Sequence, residues 1–458
     1  MTAETFYQSL RRGLGSAIIE LKENPDNSRY RDVLLRCCLR DITYDWQVEG
    51  SKGDYLYEAI LTFEDTDYFL GPIIDRFISD CPDGLFRQLT QILFYYACDK
   101  NQLAKDALNA KYEYLAQKMG RLKKNAAVDE GMQWDEIAIH LQYIDGFKVF
   151  KKYALDTGNV RLRYPENRKT YDDWYECRAE NRFGKERIER YYNSEYEKSA
   201  AIKVLVDTIK SDNILREQQQ ERRKQIHVTV GDLIQAATAA AADKNPRYKM
   251  YRLLSSKIYI WKGSEQELVE LAHAALREEN LTIKALLLNQ FRRKPFPLDI
   301  TPLIEYAKSE NSLLAEVAIT RLEDIKDNRL YELGVQLLRD KGVGSFALCL
   351  FKENYRKSDD DIIWAAVKRS KNIPHHVQQD IQDIYRRHRS VKAFPTLLRV
   401  YRKGECSFCR WSIVEAMKHC GVLSDDILEE CLYDFYDDTR TMAARIKKRR
   451  NRVSDKTQ

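Results

Sequence analysis

The residues of this chain best suited to specific chemistry are its ten cysteines and seven histidines. Cys406-Ser407-Phe408-Cys409 sets two thiols at CxxC spacing, and His419, Cys420 and Cys431 follow. Tetrahedral zinc needs four soft ligands that converge, so two CxxC-like pairs would make a strong signature. Here the second pair is only His-Cys. The sequence reading therefore assigns these cysteines to packing and expects no metal. The other histidines are His140, His227, His273, His375, His376 and His388. None of the seven builds an HExxH motif or stands beside a serine or cysteine nucleophile motif. A phosphate-cradling GxxxxGK(S/T) loop is absent too. Carboxylates are abundant, but no pair stands out as general acid and base. No catalytic residue and no cofactor are expected.

Binding chemistry is better represented. Basic residues gather in clusters: Lys257; Arg292, Arg293 and Lys294; Arg356 and Lys357; Arg386, Arg387 and Arg389; Lys418; and Lys447, Lys448, Arg449 and Arg450. A row of such clusters could track a phosphate backbone. The same residues also suit helix C-termini, where the macrodipole favours each by ~0.3–1 kcal/mol. The near balance of 76 basic and 70 acidic residues favours that plainer role. A second candidate surface lies around Arg161 to Arg182, dense in Tyr and Arg, with Tyr171 and Trp174 as contact residues. Tyr and Arg are enriched at interface hot spots. The alternative is an aromatic plug.

The elements that carry these residues read as helices. A chain with only 18 Gly and 10 Pro in 458 residues is poor in the residues that β-rich or disordered chains use. No apolar run approaches the 18 residues of a membrane span. Met1 to Leu21 lacks a charged segment followed by an apolar one, so no secretory leader is expected and the thiols read as free, in the cytoplasm. Residues 1–158 carry helical periodicity. The stretch 159–194 loses it and reads as an irregular insert, which a linker helix extends to 227. From 228 to 447 a two-helix unit repeats, and 448–458 reads as a basic polar tail. The repeat frame is anchored at Lys249, Lys284, Ala315, Phe346, Val377, Arg410 and Arg440. Four residues after each anchor stand Leu253, Leu288, Ile319, Leu350, Ile381, Val414 and Ala444, expected on the inner face. Twelve before stand Ala237, Ala272, Leu303, Gly334, Ala365, Leu398 and Leu428. Cys409 falls beside an anchor, where other copies have Ile283 and Leu314, which is why packing accounts for it. Ser264-Glu265-Gln266-Glu267 is a capping box, and Thr301-Pro302 places Pro at a first helical turn.

An acid, a turn and a base six residues on, as in Asp243/Lys249, Glu278/Lys284, Asp434/Arg440 and Asp99/Lys105, resembles the second-helix opening of HEAT-like repeats. The resemblance covers the C-terminal half well and the N-terminal half loosely, and the base is lost at Ala315, Phe346 and Val377. It implies an all-α, right-handed α-solenoid of helical hairpins whose second helices line a concave face. The expected function is a non-enzymatic scaffold that binds another protein there, with no membrane partner. The alternatives are nucleic-acid binding through the basic edge and an enzyme resembling HEAT-like DNA glycosylases. For the last, Trp364 and Trp411 are candidate walls, although no residue-level match carries a catalytic role.

Overall fold

The computed structural model describes residues 1–24, 26–121, 128–164, 173–225, 228–253, 261, 263–292 and 294–457. The described residues are predominantly helical and no strand occurs among them, so the protein is all-α. No helix among them is long and apolar enough to cross a membrane. Many helices begin where a side chain satisfies the orphan amides of the first turn. Thr229 with Asp232, and Ser264 with Glu267, form reciprocal capping boxes. Asn101, Asn280, Asn311 and Asp327 cap four more helices. Pro302 lies in the first turn of Thr301–Tyr306, as its fixed φ favours.

The chain divides into two compact units, residues 1–218 with 426–458, and residues 219–425. The helix Asp437–Thr457 groups with the first unit.

In the first unit, Asp83–Cys98 packs against Gly53–Ile60, Gln102–Met119 and Val128–Asp145. The insert expected to be irregular is helical where described. Phe147–Arg163 runs on to its end, and Asp173–Phe183 and Lys185–Glu195 follow, broken by Gly184 at φ +83°. Its Glu, Lys and Arg residues are good helix formers, and aromatic side chains on more than one face masked the period. Tyr175 and Tyr192 are buried beside Phe150, and Tyr175 also lies against Tyr153. Tyr175 and Tyr192 thus fill core, and Phe183 and Tyr191 pack half-buried against it. Segment 426–458 seats on the start of the chain. The Phe435 N–H donates to the Gly13 carbonyl at 2.9 Å, and its ring lies 6.2 Å from that of Tyr55. Glycine is required at this seat. A Cβ on Gly15 would stand 1.8 Å from the Glu430 carbonyl oxygen, and Gly13 has φ +69°. Residues 448–457, expected as a polar tail, continue the Asp437–Thr457 helix, because nothing in Lys-Arg-Arg-Asn-Arg breaks one.

The second unit is a run of helical pairs. Val230–Ala240 pairs with Pro246–Leu253, Glu265–Arg277 with Leu281–Leu288, and Thr301–Tyr306 with Ser312–Arg321. Asn328–Asp340 pairs with the 3-10 turn Ala347–Leu350 and its continuation Phe351–Asn354. Asp359–Arg369 then leads into His375–His388, and Phe394–Lys403 pairs with Ser407–His419. Each second element also packs on the second element of the next pair, from Pro246–Leu253 through to Ser407–His419. The second-helix frame fits this packing: Leu288, Ile319, Leu350, Ile381 and Val414 are all buried. Leu253 departs from it. It ends its helix 45% exposed, and Met250 takes the inward position. On the first helices Ala365 is exposed and Leu398 half-buried, while their neighbours Ala366 and Leu397 are buried. A frame anchored on second helices slips by one residue wherever the intervening turn changes length. Ala444 is exposed as well, in a helix of the first unit.

Candidate functional site

Successive second elements of the second unit open onto one groove of about 460 Å³. Pro246–Leu253 contributes Arg247, and the turn after Leu281–Leu288 contributes Asn289 and Arg292. Ser312–Arg321 presents Glu316, Thr320 and Arg321, with Glu323 just beyond. Phe346, Cys349 and Lys352 come from the fourth pair, and His376, Asp380 and Asp383 from His375–His388. Eight of its fifteen lining residues are Arg, Lys, Asp or Glu.

Charges in the groove are sorted along its length. Arg247 pairs with Glu316 at 2.8 Å. Burial pushes the Arg321 guanidinium down to about 10, with Arg292 and Arg247 adding repulsion and Glu323 opposing both. Its Nε and one terminal nitrogen are buried without a hydrogen-bond partner, and the other terminal nitrogen donates to Thr320 Oγ1 at 3.3 Å. Unsatisfied donors of this kind are costly, and a carboxylate or phosphate reaching them would satisfy them. Further along, the Lys352 ammonium sits 3.0 Å from Glu323, 3.0 Å from Asp380 and 3.3 Å from Asp383. Burial opposes its charge, but Asp380 and Glu323 outweigh burial and hold its pKa above the ordinary lysine value. One cation serves three carboxylates, and Asp380 is the deepest. Burial lifts its pKa to about 7 against the pull of Lys352. His376 stacks on Phe346 at 4.0 Å between ring centroids, and burial lowers its pKa. Phe346 holds a left-handed φ of +60°, an uncommon conformation for a bulky residue, at the point where its helical pair turns.

A second convergence lies in the same unit. The segments ahead of His375–His388 and Ser407–His419 run side by side, joined by a parallel bridge between Ile373 and Gly404. A Cβ on Gly404 would meet Gln378 Oε1 at 2.4 Å and the Val400 carbonyl at 2.8 Å, so this approach requires glycine. It sets the first residue of one helix, His375, over the start of the next. Cys406 is the N-cap there, and its sulfur accepts from the Cys409 N–H at 3.5 Å. Cys409 Sγ lies 3.4 Å from His375 Nδ1, and donor atoms of all three residues fall within 4.8 Å of one another. Both thiols are buried and the imidazole is half-buried. What sequence reading missed is His375, which stands beside Cys409 in space and 34 residues away in the chain.

Several of the basic residues singled out by sequence already have acidic or carbonyl partners. Arg292 is exposed and lines the groove. Lys294 donates to the Gly263 carbonyl at 2.6 Å. Arg386 pairs with Glu415 at 3.4 Å, and Arg387 pairs with Glu353. Lys447 pairs with Glu429 in the first unit, where Lys448, Arg449 and Arg450 are exposed on the last helix. Arg293, Tyr171 and the side chain of Trp174 lie outside the described residues. Trp364 and Trp411 are half-buried, and neither lines the groove. The acid–base pairs of the repeat frame are also rearranged. Lys105 pairs with Asp145 at 2.8 Å, and Asp99 accepts from the Tyr57 hydroxyl. Lys284 donates to the Tyr306 hydroxyl at 3.2 Å. The groove residues missed by sequence, Glu323, Lys352 and Asp380, do carry a signal: their charge alternates at roughly one repeat length.

Fold and groove together define an all-α protein of two helical units, one of them presenting a charged cleft along its second helices. No protein-family model matches the chain. No curated protein matches it either. Among solved structures, the crystal structure of an engineered protein, a target of the Northeast Structural Genomics Consortium, aligns with 97% of this chain and 98% of its own. The identity is 11% and the TM-score 0.30, a likeness too slight to carry an argument.

Proposed function

We propose that the second unit is a HEAT-like array, a right-handed α-solenoid of helical hairpins, and that it acts as a non-enzymatic scaffold holding a protein partner in the groove of its second helices. The observation that carries this reading is Arg321, whose buried donors point to a missing acceptor in a cleft shared by successive pairs. With Arg247 and Arg292 beside it, the complementary partner surface carries carboxylates. Stacking of second element on second element supports the solenoid, because repeat arrays contact chiefly their neighbours and build extended surfaces that way. The test is affinity capture from the native host with wild-type protein and with Arg292→Glu. A partner retained by the wild type and lost from the exposed-residue variant supports the reading. Equal retention by both refutes the groove as its seat.

Nucleic-acid binding through the basic edge is the second reading. The exposed run Lys448, Arg449 and Arg450 favours it, and the acids already paired with Arg386, Arg387 and Lys447 weigh against it. Salt dependence separates the two, as set out below.

A further inference from the structure

We propose that His375, Cys406 and Cys409 bind a zinc ion, a site distinct from the groove. Two thiolates and an imidazole form a soft, nitrogen–sulfur donor set that selects zinc over calcium or magnesium. Geometry fits the assignment. With Zn–S near about 2.3 Å and Zn–N near about 2.0 Å, tetrahedral edges fall at about 3.6 Å for S···N and about 3.8 Å for S···S. The observed 3.4 Å between Cys409 Sγ and His375 Nδ1 matches the first, and the 4.8 Å limit on the whole set leaves at most about 1 Å to close.

The surroundings are built for thiolates. Cys406 and Cys409 open one helix and His375 opens another, so the positive ends of two helix dipoles meet at the same point. The Cys409 N–H donates to Cys406 Sγ, the kind of outer contact that fixes a metal-binding sulfur in place. Packing alone explains why the sulfurs are buried. It does not explain why Gly404 lets two segments approach until an imidazole nitrogen faces them. The three residues supply three of zinc's four positions, and water or a further donor completes the set.

The test uses the full-length protein, purified without chelator, with metal content measured by mass spectrometry. The expected result is about one zinc per chain. Cys409→Ser and His375→Gln should lower zinc at least tenfold. Cys420→Ser, whose thiol instead donates to the Tyr385 carbonyl, should leave it unchanged. Because a variant can fail to fold, the wild type is also loaded with cobalt after zinc removal. Intense visible absorption from a tetrahedral centre, with thiolate-to-cobalt charge transfer in the near ultraviolet, supports the site independently. Wild-type protein that holds no zinc and shows no cobalt spectrum overturns the proposal. So does a Cys406–Cys409 disulfide in the protein as isolated, or zinc that survives both substitutions.

Discussion

Lys352→Met should destabilise the second unit, and by an amount that grows with pH. The substitution keeps much of the apolar stem and removes the one ammonium set among Glu323, Asp380 and Asp383. At an effective dielectric of about 20, each contact near 3 Å is a gross attraction of about 5 kcal/mol, largely cancelled by desolvation and by repulsion among the acids. Removing the partner of a buried carboxylate such as Asp380 costs about 3–5 kcal/mol net, and the more exposed Glu323 and Asp383 add little to it. The sign of the pH effect follows from Asp380. Its folded pKa, about 7, lies above the unfolded value of about 3.9. Stability from its protonated form is therefore fully present below pH ~4 and is lost as pH rises through ~7. Without Lys352 that folded pKa climbs further, so the variant loses more between pH 5 and 8.5 than the wild type does. Urea denaturation followed by circular dichroism at both pH values measures it. The expected loss is about 3–5 kcal/mol at pH 8.5 and about 1–2 kcal/mol at pH 5. At the higher pH this corresponds to a Tm lower by about 10 °C for a unit of this size. A loss under about 1 kcal/mol at pH 8.5, or the same loss at both pH values, would refute the reasoning.

Leu288→Asp buries an unpaired carboxylate at a fully buried position and should cost more than about 3 kcal/mol, read by urea midpoint. Gly15→Ala drives a methyl group into the Glu430 carbonyl and should lower the stability of the first unit by about 1–3 kcal/mol or more; unchanged melting would contradict the seat described for segment 426–458. If Lys447, Lys448, Arg449 and Arg450 contact duplex DNA, log affinity falls with log salt at about −0.9 per phosphate neutralised, and replacing all four by Gln flattens that slope. Absence of binding at low salt to duplex, single strand or RNA removes the nucleic-acid reading.

Class and phase were legible where the signal was local. Scarce Gly and Pro, apolar periodicity, and caps such as Ser264 and Thr301-Pro302 each depend on neighbours within a few residues. The inner positions Leu288, Ile319, Leu350, Ile381 and Val414 followed because second helices repeat at a nearly constant interval. Ala365 and Leu398 did not, because turn length enters their phase. Residues 173–194 read as irregular because aromatics on more than one face erase a helical period, although the Glu, Lys and Arg among them favour helix. His375 and the three carboxylates around Lys352 were hidden for another reason. Cys409 meets His375, and Lys352 meets Glu323, Asp380 and Asp383, from separate helical pairs, and no local pattern marks which residues of separate pairs will touch. The raised pKa of Asp380 is a property of the assembled groove, where burial acts on it, and not of any stretch of chain.

The seat of Phe435 on Gly13 also bears on the order in which the chain can fold. Residues 219–425 form a unit continuous in sequence, inserted between the two parts of the other. On a ribosome, residues 1–218 emerge with Gly13, Gly15 and Tyr55 uncovered and with Asp54 and Glu58 still lacking Arg440. The inserted unit can complete itself from its own residues in the meantime. Contacts that close the first unit are the most distant in sequence, and such contacts form slowly. The packing around Gly13, Tyr55 and Glu58 is thus completed only once the helix that begins at Asp437 has been made.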